Sequence, residues 1–169
     1  MARQQFSGNR LCVVTNCVSR KRGGAPISID ASRPYRTLAE LCNAWLEVAS
    51  CAQERVEARA LYLGRAFRDS RVAAEALGCE LWVVSAGFGL VPGGRPLPNY
   101  NLTVAEGSGS VRPALDRLDA TSSDWWQALH QVRGEASPLA SLVGSGQFDQ
   151  IFLALPSSYI KMVAGDLSH

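Results

Sequence analysis

No apolar run in this 169-residue sequence approaches the roughly 18 residues that cross a bilayer as a helix. Met1 to Arg10 is polar and has no apolar core of the kind a secretory leader carries. Neither a membrane protein nor an exported one is expected. The five cysteines, Cys12, Cys17, Cys42, Cys51 and Cys79, are odd in number, form no C-x-x-C pair and have no histidine nearby. That pattern argues against a zinc site and a disulfide framework, and it predicts a reduced, cytoplasmic protein. His130 and the terminal His169 are the only histidines, and Ser85 lies in Val-Val-Ser-Ala-Gly rather than in a G-x-S-x-G elbow. A serine hydrolase is not supported. Bulk charge is nearly balanced, with 17 Lys+Arg against 15 Asp+Glu for a formal +2, so any polyanion binding must come from local charge.

What is present is enough to fold. At 47% hydrophobic residues the chain can bury one full-sized core, and a single α/β domain over 1–169 is expected, either whole or as a piece of a longer chain. Its organising stretch runs from Glu80 to Pro92: a short apolar run, read as a buried strand, breaks at Ser85, Gly87 and Gly89 before the Pro/Gly-rich segment Pro92 to Pro98. A strand that ends in small residues offers backbone N–H groups at its carboxyl edge, where open α/β sheets bind ligands. Two further apolar runs, at 11–18 and 150–155, complete a mixed or parallel sheet of few strands covered by helices on both faces.

Between the strands the periodicity turns helical. Thr37 and Glu40 form a capping-box pattern before Leu38, Leu41, Cys42, Trp45, Leu46, Val48 and Ala49. A second helical pattern runs from about Val56 or Ala58 to Leu77 and stops at Gly78. Within it Arg65, Arg68 and Arg71 fall at spacings of three, which predicts one basic flank: a solvated face or a phosphate track. From Pro92 the chain is read as irregular, and Gly107 to Ser110 as a flexible turn. Thr121 to Asp124 caps a helix carrying Trp125 and Trp126, one indole expected inward and one partly exposed, for ordinary packing or as a surface for a protein partner. Ser137-Pro138 opens a further short helix.

The candidate site residues lie where the three strands end. Ser19, Lys21 and Arg22, with Arg20 and two glycines, follow the first strand and suit either a phosphate cradle or a solvated loop. Ser85, Gly87 and Gly89 follow the second strand, and Tyr159 follows the third. Tyr100 suits either stacking on a base or pinning its loop. Parallel strands would bring all of these to one rim. Carboxylates are scarce there, which argues against a two-metal centre; no metal and no cofactor are expected.

One resemblance ties these segments together. In order, Cys17-x-Ser19-x-Lys21, Ala60-Leu61-Tyr62-x-Gly64-x-x-Phe67, Val84-Ser85-Ala86-Gly87-Phe88-Gly89-Leu90 and Pro98-Asn99-Tyr100 resemble the YaaA-like family of peroxide-stress resistance proteins and related small domains. It covers about residues 11 to 104, with the strand and Tyr159 near the end. Here Asn99 separates the Pro and Tyr of that family's pair, and no helix–hairpin–helix signature is found. The resemblance implies an α/β fold whose cleft is lined by Lys21, Tyr62, Ser85, Gly89 and Tyr100, and it implies DNA binding in stress or defence. In that reading Arg20, Lys21, Arg22 and the Arg65/Arg68/Arg71 stripe meet phosphates. An enzyme acting on a nucleotide, nucleoside or nucleic-acid base in the same cleft is the alternative. A scaffold subunit docking through the Trp125/Trp126 helix is a third.

Overall fold

A computed structural model describes residues 10–168. The chain opens with β1 (Leu11–Asn16), β2 (Ile27–Ser28), α1 (Leu38–Ser50), β3 (Val56–Glu57), α2 (Ala58–Leu61) and α3 (Arg65–Leu77). It continues with β4 (Glu80–Ser85), β5 (Gly89–Pro92), β6 (Pro96–Leu97), β7 (Tyr100–Asn101), α4 (Arg112–Arg117) and α5 (Ser122–Gln131). Last come α6 (Pro138–Gly144), β8 (Gln150–Ala154), α7 (Ser157–Met162) and α8 (Ala164–Leu167).

The three apolar runs become one sheet of order β5-β4-β1-β8, in which β1 pairs in parallel with β4 and with β8. This is an α/β fold with a mostly parallel sheet, as the strand–helix alternation predicts. Cys12, Val13, Val14 and Thr15 are all buried, and successive side chains point to opposite faces, so both faces of β1 are covered. Trp45, Trp125, Phe67, Leu41 and Leu129 fill one contiguous core with the strand residues. Among the described residues no helix is long and apolar enough to cross a membrane.

Local signals set one end each of α1, α3 and α5. Thr37 caps α1 by accepting from the Glu40 N–H at 3.1 Å, while the Glu40 carboxylate accepts from the Arg36 N–H at 2.9 Å. Thr121 and Asp124 cap α5 reciprocally. Gly78 ends α3 in the left-handed conformation, φ +61°.

Four expectations are corrected. The helix read across 56–77 is two helices, because Tyr62 is extended (ψ 131°) and bridges antiparallel to Lys21. Gly64 then lies against Val18, whose Cγ1 is 3.0 Å from where a Cβ would stand. Of the rim expected over Ser85 to Gly89, Gly89 instead opens a strand, β5, antiparallel to β4, and its φ of +71° closes the turn. The segment after Pro92 is pinned rather than structureless, since β6 pairs with β3 and β7 with β2. Finally, β8 is a sheet edge, with Phe152 49% and Leu153 43% exposed, so the helical cover expected over both faces stops short of it.

Candidate functional site

The parallel register delivers the chain to one edge after each of β1, β4 and β8. Cys17 extends the β1 ladder, its N–H donating to the Val84 carbonyl at 3.0 Å, and its Sγ lies 3.0 Å from the Tyr159 hydroxyl on α7. The Ala86 N–H, just past β4, donates to the same Sγ at 3.4 Å. Beside this, Ser85 Oγ is 2.7 Å from the Tyr100 hydroxyl, which is 2.9 Å from the Tyr62 hydroxyl. Lys21 extends over the pair, its Nζ 4.0 Å from the Tyr100 ring centroid and 5.8 Å from that of Tyr62. The structure therefore brings Lys21, Tyr62, Ser85, Tyr100 and Tyr159 together, with Cys17 as the thiol that joins their halves.

Most of this cluster is interior. Ser85, Tyr62, Tyr100 and Tyr159 are buried, and burial pushes all three phenols well above their ordinary range, with Cys17 reinforcing the shift. They stay protonated hydroxyls. Lys21 is half-buried, and desolvation lowers its ammonium below its ordinary value, Cys17 pulling the other way. Tyr100 is the anchor of its segment: Phe88 and Trp45 pack edge-on to its ring at 5.1 and 6.0 Å, leaving no face for a stacked base.

The expectation of open N–H groups at Ser85 to Gly89 is also corrected. The Phe88 N–H turns inward to Ser85 Oγ at 3.0 Å. The carbonyls of Ala86, Gly87 and Phe88 accept from Trp125 Nε1, Trp45 Nε1 and Arg133 at 2.8, 2.6 and 2.7 Å. Gly87 serves packing, because a Cβ there would stand 2.7 Å from Trp45 Cζ2, and Gly89 does likewise against the His130 ring. This turn is part of the wall, not an anion cradle. His130 has the carboxylate on Nδ1 that a triad base carries, Glu135 at 2.7 Å, but its Nε2 is buried and meets no serine or other nucleophile, so no triad is assembled there. Trp125 and Trp126 are both buried, Trp126 directing its Nε1 to Asp166, so neither is a docking surface.

The exposed side of the cluster is basic. The Lys21–Tyr62 bridge is flanked by Arg22 N–H donating to the Leu61 carbonyl at 2.7 Å and Leu63 N–H to the Arg20 carbonyl at 3.0 Å. That pairing docks the basic loop beside α3. Arg22, Arg59, Arg68 and Arg71 consequently line one hollow of about 340 Å³, with Tyr62, Leu63 and Glu57 in its wall. Arg59 pairs with Glu57, Arg68 with Asp69 and Arg71 with Glu75, whereas Arg20 and Arg22 meet no carboxylate within 4 Å among the described residues. Arg65 departs from the expected stripe: its side chain is 89% exposed, turns toward Asp69 and does not line the hollow. Ser19 is exposed at the end of β1, and Arg22 with Gly23 and Gly24 also borders a second hollow of about 270 Å³.

Arg59 was passed over in the sequence because it reads as one more cation in a helical run; only the break at Tyr62 turns it toward Arg22. Nothing in the sequence around Cys17 announces that its thiol meets Tyr159, 142 residues away. Among the described residues no group of three His, Cys, Asp or Glu is placed to hold a metal ion. No family model matches the chain, and neither a curated protein nor a solved structure does.

Proposed function

We propose that this chain binds nucleic acid along its phosphate backbone. The observation that carries this reading is the convergence of Arg22, Arg59, Arg68 and Arg71, from three separate segments, on one hollow beside the unpaired Arg20. Guanidinium groups present planar forks that match phosphate oxygens; Arg22 meets no carboxylate, and the pairs that Arg59, Arg68 and Arg71 make with Glu57, Asp69 and Glu75 are solvent-exposed, so phosphate can displace them. The resemblance to the YaaA-like family points the same way and places such binding in a cytoplasmic stress or defence setting. The free thiols Cys12, Cys17, Cys42, Cys51 and Cys79 suit a reducing compartment.

The test is a fluorescence-anisotropy titration of labelled duplex and branched DNA over a series of salt concentrations. The logarithm of the affinity should fall linearly with the logarithm of salt, because each neutralised phosphate releases counterions. Arg68→Ala should weaken binding to all sequences alike and lower that slope by about 1. Undetectable or salt-independent binding overturns the reading.

A second reading, an enzyme acting on a nucleotide, nucleoside or nucleic-acid base, is favoured by one observation: Lys21 is half-buried against tyrosines rather than against a carboxylate. Nucleotide turnover lost in Lys21→Arg and retained in Arg68→Ala would select it.

A further inference from the structure

Of the 17 Lys+Arg in the chain, Lys21 and Lys161 are the two lysines; every other cation is an arginine. The difference is chemical. A guanidinium keeps its proton at any pH a protein meets, whereas a primary amine can give it up and become a nucleophile. Lys161 is exposed on α7, where either residue type would serve. Lys21 is half-buried at the edge of the sheet, where its surroundings discriminate. Its Nζ lies over the faces of Tyr100 and Tyr62, and no carboxylate comes within 4 Å of it among the described residues. Its closest polar contact is the Ser19 carbonyl at 3.5 Å, at the outer limit of a hydrogen bond. The neighbouring phenols are held neutral by burial, so they provide no counter-charge, and desolvation lowers the ammonium further.

The second element is the position of the arginines. Tyr62 is a wall shared by two environments: Lys21 bridges to it, and it lines the hollow with Arg22, Arg68 and Arg71. Lys21 does not itself line that hollow; Tyr62, whose ring centroid is 5.8 Å from Nζ, is the residue common to the amine and to the proposed phosphate site. We infer that Lys21 is an imine-forming amine for an aldehyde or ketone carried next to a phosphate. The inference rests on the phosphate-binding reading of the hollow and names the reactive group that the bound compound brings.

The step balances without an added oxidant or reductant. The neutral Nζ lone pair attacks the carbonyl carbon; a C–N bond forms as the carbonyl π pair moves to oxygen. Proton transfer from nitrogen to that oxygen through solvent gives a carbinolamine. Loss of the hydroxyl, with a second nitrogen proton, as water leaves the C=N bond. Two sources share this chemistry: a small phosphorylated aldehyde, and the open-chain deoxyribose of a DNA strand that has lost a base.

The full chain is incubated near neutral pH with pyridoxal 5′-phosphate or, separately, with a duplex containing one baseless deoxyribose, and the imine is fixed with sodium borohydride. Peptide mass spectrometry then compares Lys21 with Lys161, an internal control in the same molecule. Labelling of Lys21 should be at least about tenfold faster than that of Lys161, because the arginine hollow beside Tyr62 holds the phosphate next to Lys21. Pyridoxal without phosphate should label Lys21 more slowly, and so should pyridoxal 5′-phosphate acting on Arg68→Ala. Lys21→Arg, which keeps charge and length, should abolish the adduct at an unchanged melting temperature, and Lys161→Arg should leave it intact. Trapping of the duplex identifies the nucleic-acid source; trapping of pyridoxal 5′-phosphate alone identifies the small one. Equal labelling of the two lysines, or preference for Lys161, overturns the inference. Salt-dependent DNA binding with no Lys21 adduct sinks the inference alone, and a Lys21 adduct without DNA binding sinks the nucleic-acid reading alone.

Discussion

A hydroxyl taken out of water destabilises the fold unless it keeps a partner, so Ser85, Tyr100 and Tyr62 depend on one another. Tyr100 is the shared member: its oxygen lies within hydrogen-bond distance of both others, and its ring is held independently by Trp45 and Phe88. Tyr100→Phe therefore removes the hydroxyl while leaving the ring packing, and should lower stability by about 1–3 kcal/mol by leaving buried groups unpaired. Ser85→Ala should do the same, because it also strands the Phe88 N–H. The double variant should fall short of the sum by about 0.5–3 kcal/mol, since its second substitution breaks a bond already lost. Urea unfolding of the four proteins measures this, and simple additivity would show that the pair does not act as a network. The same residues also show what a sequence conceals. Ser85, Gly87 and Gly89 are the small residues expected at a ligand-binding strand end, yet Trp45 and His130, from distant helices, require two of them to be small.

The elements that the sequence foretold correctly are those whose causes are local. Thr37 with Glu40, Thr121 with Asp124 and Gly78 each specify a helix end within a few residues, and the apolar runs of β1 and β4 announce buried strands. The elements it concealed are those decided by a distant partner. β6 exists because β3 lies beside it, β7 because β2 does, and the break at Tyr62 because Lys21 pairs there. Nothing in a helical run of Ala, Leu and Arg announces that bridge. β8 is the intermediate case: its composition reads as a central strand, whereas its place in the sheet is an edge. Paired only with β1, and with Phe152 and Leu153 about half exposed, it should open more readily than the strands inside the sheet. Native-state hydrogen exchange should show its ladder amides exchanging at least about tenfold faster than those of β1, which is bonded on both sides. Equal protection of β8 and β1 would mean that something further covers that edge.

At the scale of the whole molecule, burial of ionisable groups sets the pH range over which the fold is most stable. His130 is buried on α5, and desolvation lowers its imidazolium below the ordinary 6.5, with the Glu135 carboxylate opposing. The unfolded chain therefore binds a proton at His130 that the folded one refuses, and stability must fall as pH drops below about 6.5. Cys12 and Cys42 act at the other end. Burial pushes both thiols up from 9.0 to about 12, so above pH 9 the unfolded chain loses protons that the folded one keeps, and stability falls again as pH rises toward 12. The buried phenols of Tyr62, Tyr100 and Tyr159, raised above 10.0 for the same reason, steepen that alkaline limb. The urea midpoint should thus decline below about pH 6.5 and again on the alkaline side, where Lys21, its ammonium lowered by desolvation, works against the thiols and phenols because the unfolded chain keeps a proton there that the folded one has lost. His130→Gln should flatten the acid limb above about pH 5 and leave the alkaline limb as it was, because the carboxylates with lowered values, Asp30, Glu57, Asp124 and Asp149, titrate further down. A wild-type midpoint that stays level from about pH 7 to 5, or an acid limb that survives in His130→Gln, would show that His130 is not held neutral by the fold.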